Sequence, residues 1–109
     1  MIEGPCIVLC TVPDPATGEM LGRHLVERNL AACVNLVPGV TSIYRWQDAL
    51  EQAAETLLLI KTRGDRFEAV SAAIRHLHPY ELPEIVAVPL MAGLPAYLDW
   101  INQSLDQSP

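Results

Sequence analysis

Positive charge is what this 109-residue chain has least of. Lysine and arginine total 7 against 13 aspartates and glutamates, for a net charge of −6, and Lys61 is the one lysine. Binding to a phosphate backbone draws on clustered Lys and Arg, so the scatter of arginines here argues against nucleic acid and against an anionic membrane surface as partners. Long apolar runs are missing too: no stretch approaches the roughly 20 uninterrupted apolar residues of a membrane-spanning helix. Three cysteines, Cys6, Cys10 and Cys33, are too few and odd in number for a disulfide framework. Cys6 and Cys10 lie four steps apart in an extended segment, about 13 Å at ~3.3 Å per residue, which rules out a bridge or a shared chelate between them. The start, Met-Ile-Glu-Gly-Pro, places an acid where a secretory signal has basic residues, so the expected compartment is the cytoplasm. The chain also carries no GxGxxG, GxxxxGK[ST], HExxH or nucleophile elbow, and its Ser, His and Asp residues form no triad pattern. The expectation is a protein that is not an enzyme.

What is abundant is apolar residue. Half the chain is hydrophobic and only 18% is charged. A single domain spanning 1–109 buries roughly 65% of the surface its unfolded chain exposes, which leaves much of this apolar content to be covered by other subunits.

The hydrophobic pattern gives six elements. CIVLCTV, residues 6–12, is a β-branched run that reads as a strand apolar on both faces, with Cys6, Val8, Cys10 and Val12 on one side and Ile7 and Leu9 on the other. Asp14-Pro15 is an N-cap and first-turn pair opening a helix that turns Leu21, Leu25 and Val26 inward and fades near Asn29. Residues 32–46 form a long strand bent at Pro38-Gly39, and Gln47, Asp48 and Ala49 make a hairpin turn. The returning strand ends in TLLLIKT, 56–62, again apolar on both sides. A second helix follows, with Asp65 and Glu68 at capping-box spacing, a stripe of Phe67, Val70, Ile74 and Leu77, and a stop at Pro79. Residues 84–91 read as a last strand whose Pro89 marks an edge, and Pro95 starts a terminal helix with Leu98, Ile101 and Leu105 on one side. The order β-α-β-β-α-β plus a helix is the α+β, ferredoxin-like sandwich, in which the first and third strands are central. Two helices cover one sheet face; the long hairpin or a neighbouring subunit must cover the other.

Two groups of residues carry possible chemistry. His76 and His78 flank Leu77 at the end of the second helix, where Pro79 pushes His78 toward an extended backbone and takes it out of helical phase. A thiol and an imidazole suit soft or borderline ions, yet Cys10 with His78 supplies two ligands where a closed zinc site has four. The alternative is a pair of helix-end histidines, like the mid-helix His24, with no metal role. The second group is polar and aromatic: Tyr44, Arg45, Trp46, Lys61, Arg63, Tyr80, Glu81 and Glu84. These read either as hairpin and interface anchors or as a cleft between subunits with stacking rings and charges, with Tyr44, Trp46, Lys61, Tyr80 and Glu84 as its lining.

The segments VLCTVPD (8–14), LVERNLAACVNLVPGVTSIYRW (25–46), LLLIKTR (57–63), LHPYELPEI (77–85) and YLDWI (97–101) resemble the CutA divalent-cation-tolerance proteins. The resemblance implies a cytoplasmic homotrimer shaped like the PII signal proteins, a role in the response to divalent metal ions, and copper ligands from a first-strand cysteine and two adjacent histidines. Those positions are Cys10, Leu77 and His78 here, so one ligand is a leucine and the expected binding of Cu(II) or another divalent cation is weak, with no cofactor required. The alternative implied function is a PII-like trimeric sensor of a small anionic metabolite held in the clefts between subunits.

Overall fold

Backbone hydrogen bonding sorts the strands into one antiparallel sheet of order β2-β3-β1-β4 in the computed structural model, which describes residues 2–107. The elements are β1 (Pro5–Val12), α1 (Pro15–Glu27), β2 (Cys33–Trp46), β3 (Ala49–Arg63), a single 3-10 turn (Gly64–Arg66), α2 (Phe67–Leu77), β4 (Val86–Pro89) and α3 (Pro95–Asp106). This is the ferredoxin-like arrangement, and the two most apolar strands, β1 and β3, are the central ones.

Asp14 caps α1 as its position suggests, its carboxylate accepting from the Thr17 N–H at 2.7 Å. Gly18, Leu21, Gly22 and Leu25 are buried at spacings of three and four, the inward stripe of a helix laid on a sheet. The helix lies so close that a Cβ on Gly18 would stand 3.0 Å from Leu58 Cδ2. Val26, expected inward, is 40% exposed. It follows Leu25 by one residue, about 100° round the helix, and that rotation takes it off the stripe.

The α2 stripe holds, with Val70 and Ile74 fully buried. The expected capping box does not form. Asp65 instead sits in the 3-10 turn with its carboxylate on Arg63 Nε at 2.8 Å, and the N-cap position is Arg66, whose side chain makes no cap bond. The strand expected over 84–91 is shorter, Val86–Pro89, paired with β1 from Leu9 (opposite Val86) to Cys6 (opposite Pro89). The hairpin turn is two residues, Gln47 and Asp48, both left-handed at φ 50 and 66°, and Ala49 already pairs with Trp46.

Alternation divides the sheet into two faces. Cys6, Val8, Cys10, Val12, Leu58 and Ile60 are fully buried beneath α1 and α2, with Leu21, Leu25, Val70 and Ile74. Each such Leu, Ile or Val contributes about 1.5–3 kcal/mol of burial, so this layer dominates the stability of the subunit. On the other face, α3 lies over one end: Arg63 reaches Asp106 at 2.9 Å and Asn102 at 3.3 Å, and Ile101 and Leu105 pack with Ala32. Beyond α3, Ile7, Leu9, Leu57 and Leu59 are only half-buried, and Val86 and Val88 are 50% and 44% exposed.

At Pro38-Gly39 the ladder slips. Val37 opposes Leu57 and Val40 opposes Glu55, so three steps on β2 answer two on β3. Gly39 takes a φ of 75°, which only glycine adopts freely. The extra residue inverts the alternation of β2. Val40, Ser42, Tyr44 and Trp46 therefore come up on the open face with Glu55, rather than on the helix face with Leu36.

Candidate functional site

The site grows from the end of β1. Leu9 is the last β1 residue with a β4 partner, and Thr11, two residues on, has no strand beside it on that edge. A sheet carbonyl needs a donor, and a side chain supplies it. His78 Nε2 lies 2.7 Å from the Thr11 carbonyl oxygen. A carbonyl only accepts, so Nε2 carries the proton. The other ring nitrogen, Nδ1, accepts from the Tyr80 N–H at 3.0 Å, which fixes the tautomer.

His78 can do this because it leaves the helix. Its own N–H closes the last turn of α2 on Ile74 O at 2.7 Å, while φ −77° and ψ 137° turn its chain extended, as a residue before proline prefers. His78 is 7% exposed; His76 stays on the exposed last turn of α2 and Leu77 is half-buried against the core.

Cys10 comes to the same spot from the helix face. It is fully buried, and its thiol points at the Thr11 carbonyl oxygen from 3.8 Å. The sequence therefore brings Cys10 and His78 to one acceptor. Burial pushes the Cys10 thiol up to about 12, and the carboxylates of Glu84 and Glu55 add to the rise. Such a thiol stays protonated at neutral pH, and both nitrogens of His78 are engaged. A metal ion at this point would have to displace the Thr11 or Tyr80 contact and strip the thiol proton, so the donors present fit a closed copper centre poorly. Among the described residues no three His, Cys, Asp or Glu side chains are grouped to share an ion.

On the open face beside Thr11 lies a cavity of about 730 Å³. Tyr44 and Trp46 of β2, Glu55 of β3, and Tyr80, Glu81 and Glu84 of the segment after α2 line it. Four of the five cleft residues that the sequence offers, Tyr44, Trp46, Tyr80 and Glu84, thus converge around one hollow within one chain. Lys61 does not. It sits further along β3, opposite Ile7 and Cys33, where its ammonium group bonds to the Asn35 side chain.

Glu55 is the residue that pattern reading passed over. It is 8% exposed, and its Oε2 accepts from the Tyr80 hydroxyl at 2.8 Å. Burial of the hydroxyl and then the neighbouring Glu55 carboxylate raise Tyr80 to about 12. The signal was present: alternation puts Glu55 on the face of Leu57 and Leu59, a carboxylate at the mouth of an apolar strand.

Comparison with known proteins places these features in a family. Residues 6–104 match the family model described as CutA1 divalent ion tolerance protein. The chain is 47% identical over 98 residues to the divalent-cation tolerance protein CutA of Thermus thermophilus, covering 90% of this chain and 95% of that one. The crystal structure of CutA from Xylella fastidiosa superposes with a TM-score of 0.92 at 43% identity, over 95% of this chain and all of that one (100%). A protein named as the periplasmic divalent cation tolerance protein CutA of Archaeoglobus fulgidus superposes at 0.91 with 33% identity, over 94% of this chain and 99% of that one.

Proposed function

The chain belongs to the CutA1 divalent ion tolerance family, and on that premise we propose that it is a single-domain, non-enzymatic protein of the divalent-metal response that works as a PII-like homotrimer. One observation carries the assembly. The sheet face opposite α1 and α2 is apolar and only partly covered by α3, and the β2–β3 hairpin leaves Ile43 66% and Leu50 73% exposed. Faces of this kind are covered by copies of the chain in stable oligomers. Free Cys6, Cys10 and Cys33 support a reducing compartment, and the cytoplasm is the proposed location, although one relative carries a periplasmic name.

Copper contact is proposed to be weak and confined to His78, with Cys10 acting as a core residue. Leu77 stands where the family's third ligand would be, and the hydrogen bonds of His78 compete with any ion. A second reading, favoured by the gathering of Tyr44, Trp46, Tyr80 and Glu84 around one cavity, is that the cleft receives a small metabolite.

Light scattering and copper calorimetry on one set of proteins test the proposal. The wild type should scatter as three 12.0 kDa subunits at micromolar concentration. Leu50→Ala, which truncates the most exposed large apolar side chain of the hairpin, should weaken the assembly. Cu(II) should bind the wild type weakly, His78→Ala more weakly still and Leu77→His more tightly. A monomer in solution would overturn the assembly, and equal affinities across the three proteins would remove both positions as ligands.

A further inference from the structure

The cavity beside Thr11 has a chemistry of its own. Its lining holds three carboxylates, Glu55, Glu81 and Glu84, and three aromatic rings, Tyr44, Trp46 and Tyr80, and no lysine or arginine. Glu55 is the unusual member. It is more than nine-tenths buried, yet among the described residues no basic side chain pairs with it, and its single hydrogen bond is the one that Oε2 receives from Tyr80. A buried carboxylate without a counter-charge is costly unless something cationic offsets it.

The lining also separates one cation from another. Hard divalent ions take six or more oxygen ligands at short range, and the cavity carboxylates are not grouped to share an ion. Aromatic faces, in contrast, attract a large, weakly hydrated cation placed within about 6 Å of the ring centre. Phosphorylated or carboxylated metabolites face three negative groups and no positive one.

We propose that this cleft is a binding site for a compact organic ammonium ion, with Glu55 as its counter-charge and the Trp46, Tyr44 and Tyr80 rings as its walls. The proposal rests on the reading of the cleft as a small-molecule site and fixes the charge of what enters. Tyr80 then has two duties. Its hydroxyl orients the Glu55 carboxylate, and its ring stands 4.7 Å from His78, which ties the wall of the cleft to the end of β1.

Trp46 reports on its own cleft. In a Trp100→Phe background it is the only tryptophan, since the chain has two. Tetramethylammonium, neutral neopentyl alcohol and citrate would each be titrated into the assembled protein at constant ionic strength while Trp46 emission is followed. Tetramethylammonium should give a saturable change, with neopentyl alcohol at least tenfold weaker and citrate without effect. Glu55→Gln keeps an acceptor for the Tyr80 hydroxyl and should weaken tetramethylammonium at least tenfold without altering the oligomer. Saturation by citrate would overturn the assigned charge while leaving the cleft a ligand site. No saturable change with any probe would overturn both, and equal tetramethylammonium binding in Glu55→Gln would remove Glu55 as the counter-charge.

Discussion

Replacing His78 by alanine removes a bolt rather than a surface histidine. Two hydrogen bonds are lost, Nε2 to Thr11 O and Tyr80 N–H to Nδ1, along with a tilted ring contact to Tyr80 at 4.7 Å. Each partly buried bond is worth about 0.5–1.5 kcal/mol net, and the ring contact adds about 0.5 kcal/mol. The expected loss is about 1.5–3.5 kcal/mol. At roughly 4 °C or more per kcal/mol for a domain of this size, the melting temperature should fall by about 6 °C or more. Differential scanning calorimetry at one fixed protein concentration measures it, because the proposed assembly would link stability to concentration. His78→Asn makes the mechanism specific. The Tyr80 N–H is two residues on, the spacing of an Asx-turn, so asparagine can restore that bond but is too short to reach Thr11. Its loss should fall about midway between wild type and His78→Ala. A shift below about 2 °C in the alanine variant would show that water replaces both bonds without cost, and the reasoning would fail.

The remaining predictions concern charge and reactivity. The Arg63 guanidinium holds the Asp65 and Asp106 carboxyls below the ordinary carboxylate range. Their contribution is therefore complete above the ordinary value of about 3.9 and is lost as pH falls through the lowered folded values. Acid titration of stability should consequently be shallower below pH ~4 in Arg63→Ala than in wild type, and parallel curves would count against the pairing. Cys10 behaves oppositely: its folded value of about 12 lies above the usual thiol value, so its contribution is present below about pH 8.5 and is lost as pH rises toward 12. In native protein at pH 8, iodoacetamide should leave Cys10 unlabelled while denatured protein labels it fully, as peptide mass spectrometry would show; rapid native labelling would contradict its burial.

Much of this fold is legible in the sequence because its signals are local and periodic. CIVLCTV and TLLLIKT are apolar on both sides, and the chain sets them at the sheet centre. Asp14 caps where an aspartate before a proline should. The failures have local competitors. Asp65 has capping-box spacing to Glu68, but a charge-assisted bond from Arg63 two residues earlier is the stronger partner. Glu84, Ile85, Leu90 and Met91 look strand-like, yet only Val86–Pro89 pairs with β1, and the Thr11 carbonyl further along that edge is taken by His78 instead. At the site, Cys10 and His78 stand out in the sequence as possible ligands, and they converge on the Thr11 carbonyl. What spacing along the chain could not convey is that a main-chain carbonyl is what joins them, since that depends on where β4 stops.

The bulge explains why the cleft residues escape a reading by alternation. Counting by twos from Leu36, which lies on the helix face opposite Leu58, would carry Tyr44 and Trp46 beneath the helices. The extra residue at Pro38-Gly39 reverses that count, so the same aromatic side chains reach the open face and meet Glu55 across the ladder. From the other side, proline at 79 takes His78 out of the helix, His78 anchors to Thr11, and Tyr80 is delivered to the same carboxylate. Two proline-directed departures from regular structure, 41 residues apart, thus build opposite walls of one cavity. Neither departure strengthens the ladder or the helix in which it occurs. Their joint effect is felt at Glu55, a buried carboxylate that alternation alone would have left on an apolar face with no ring and no hydroxyl beside it.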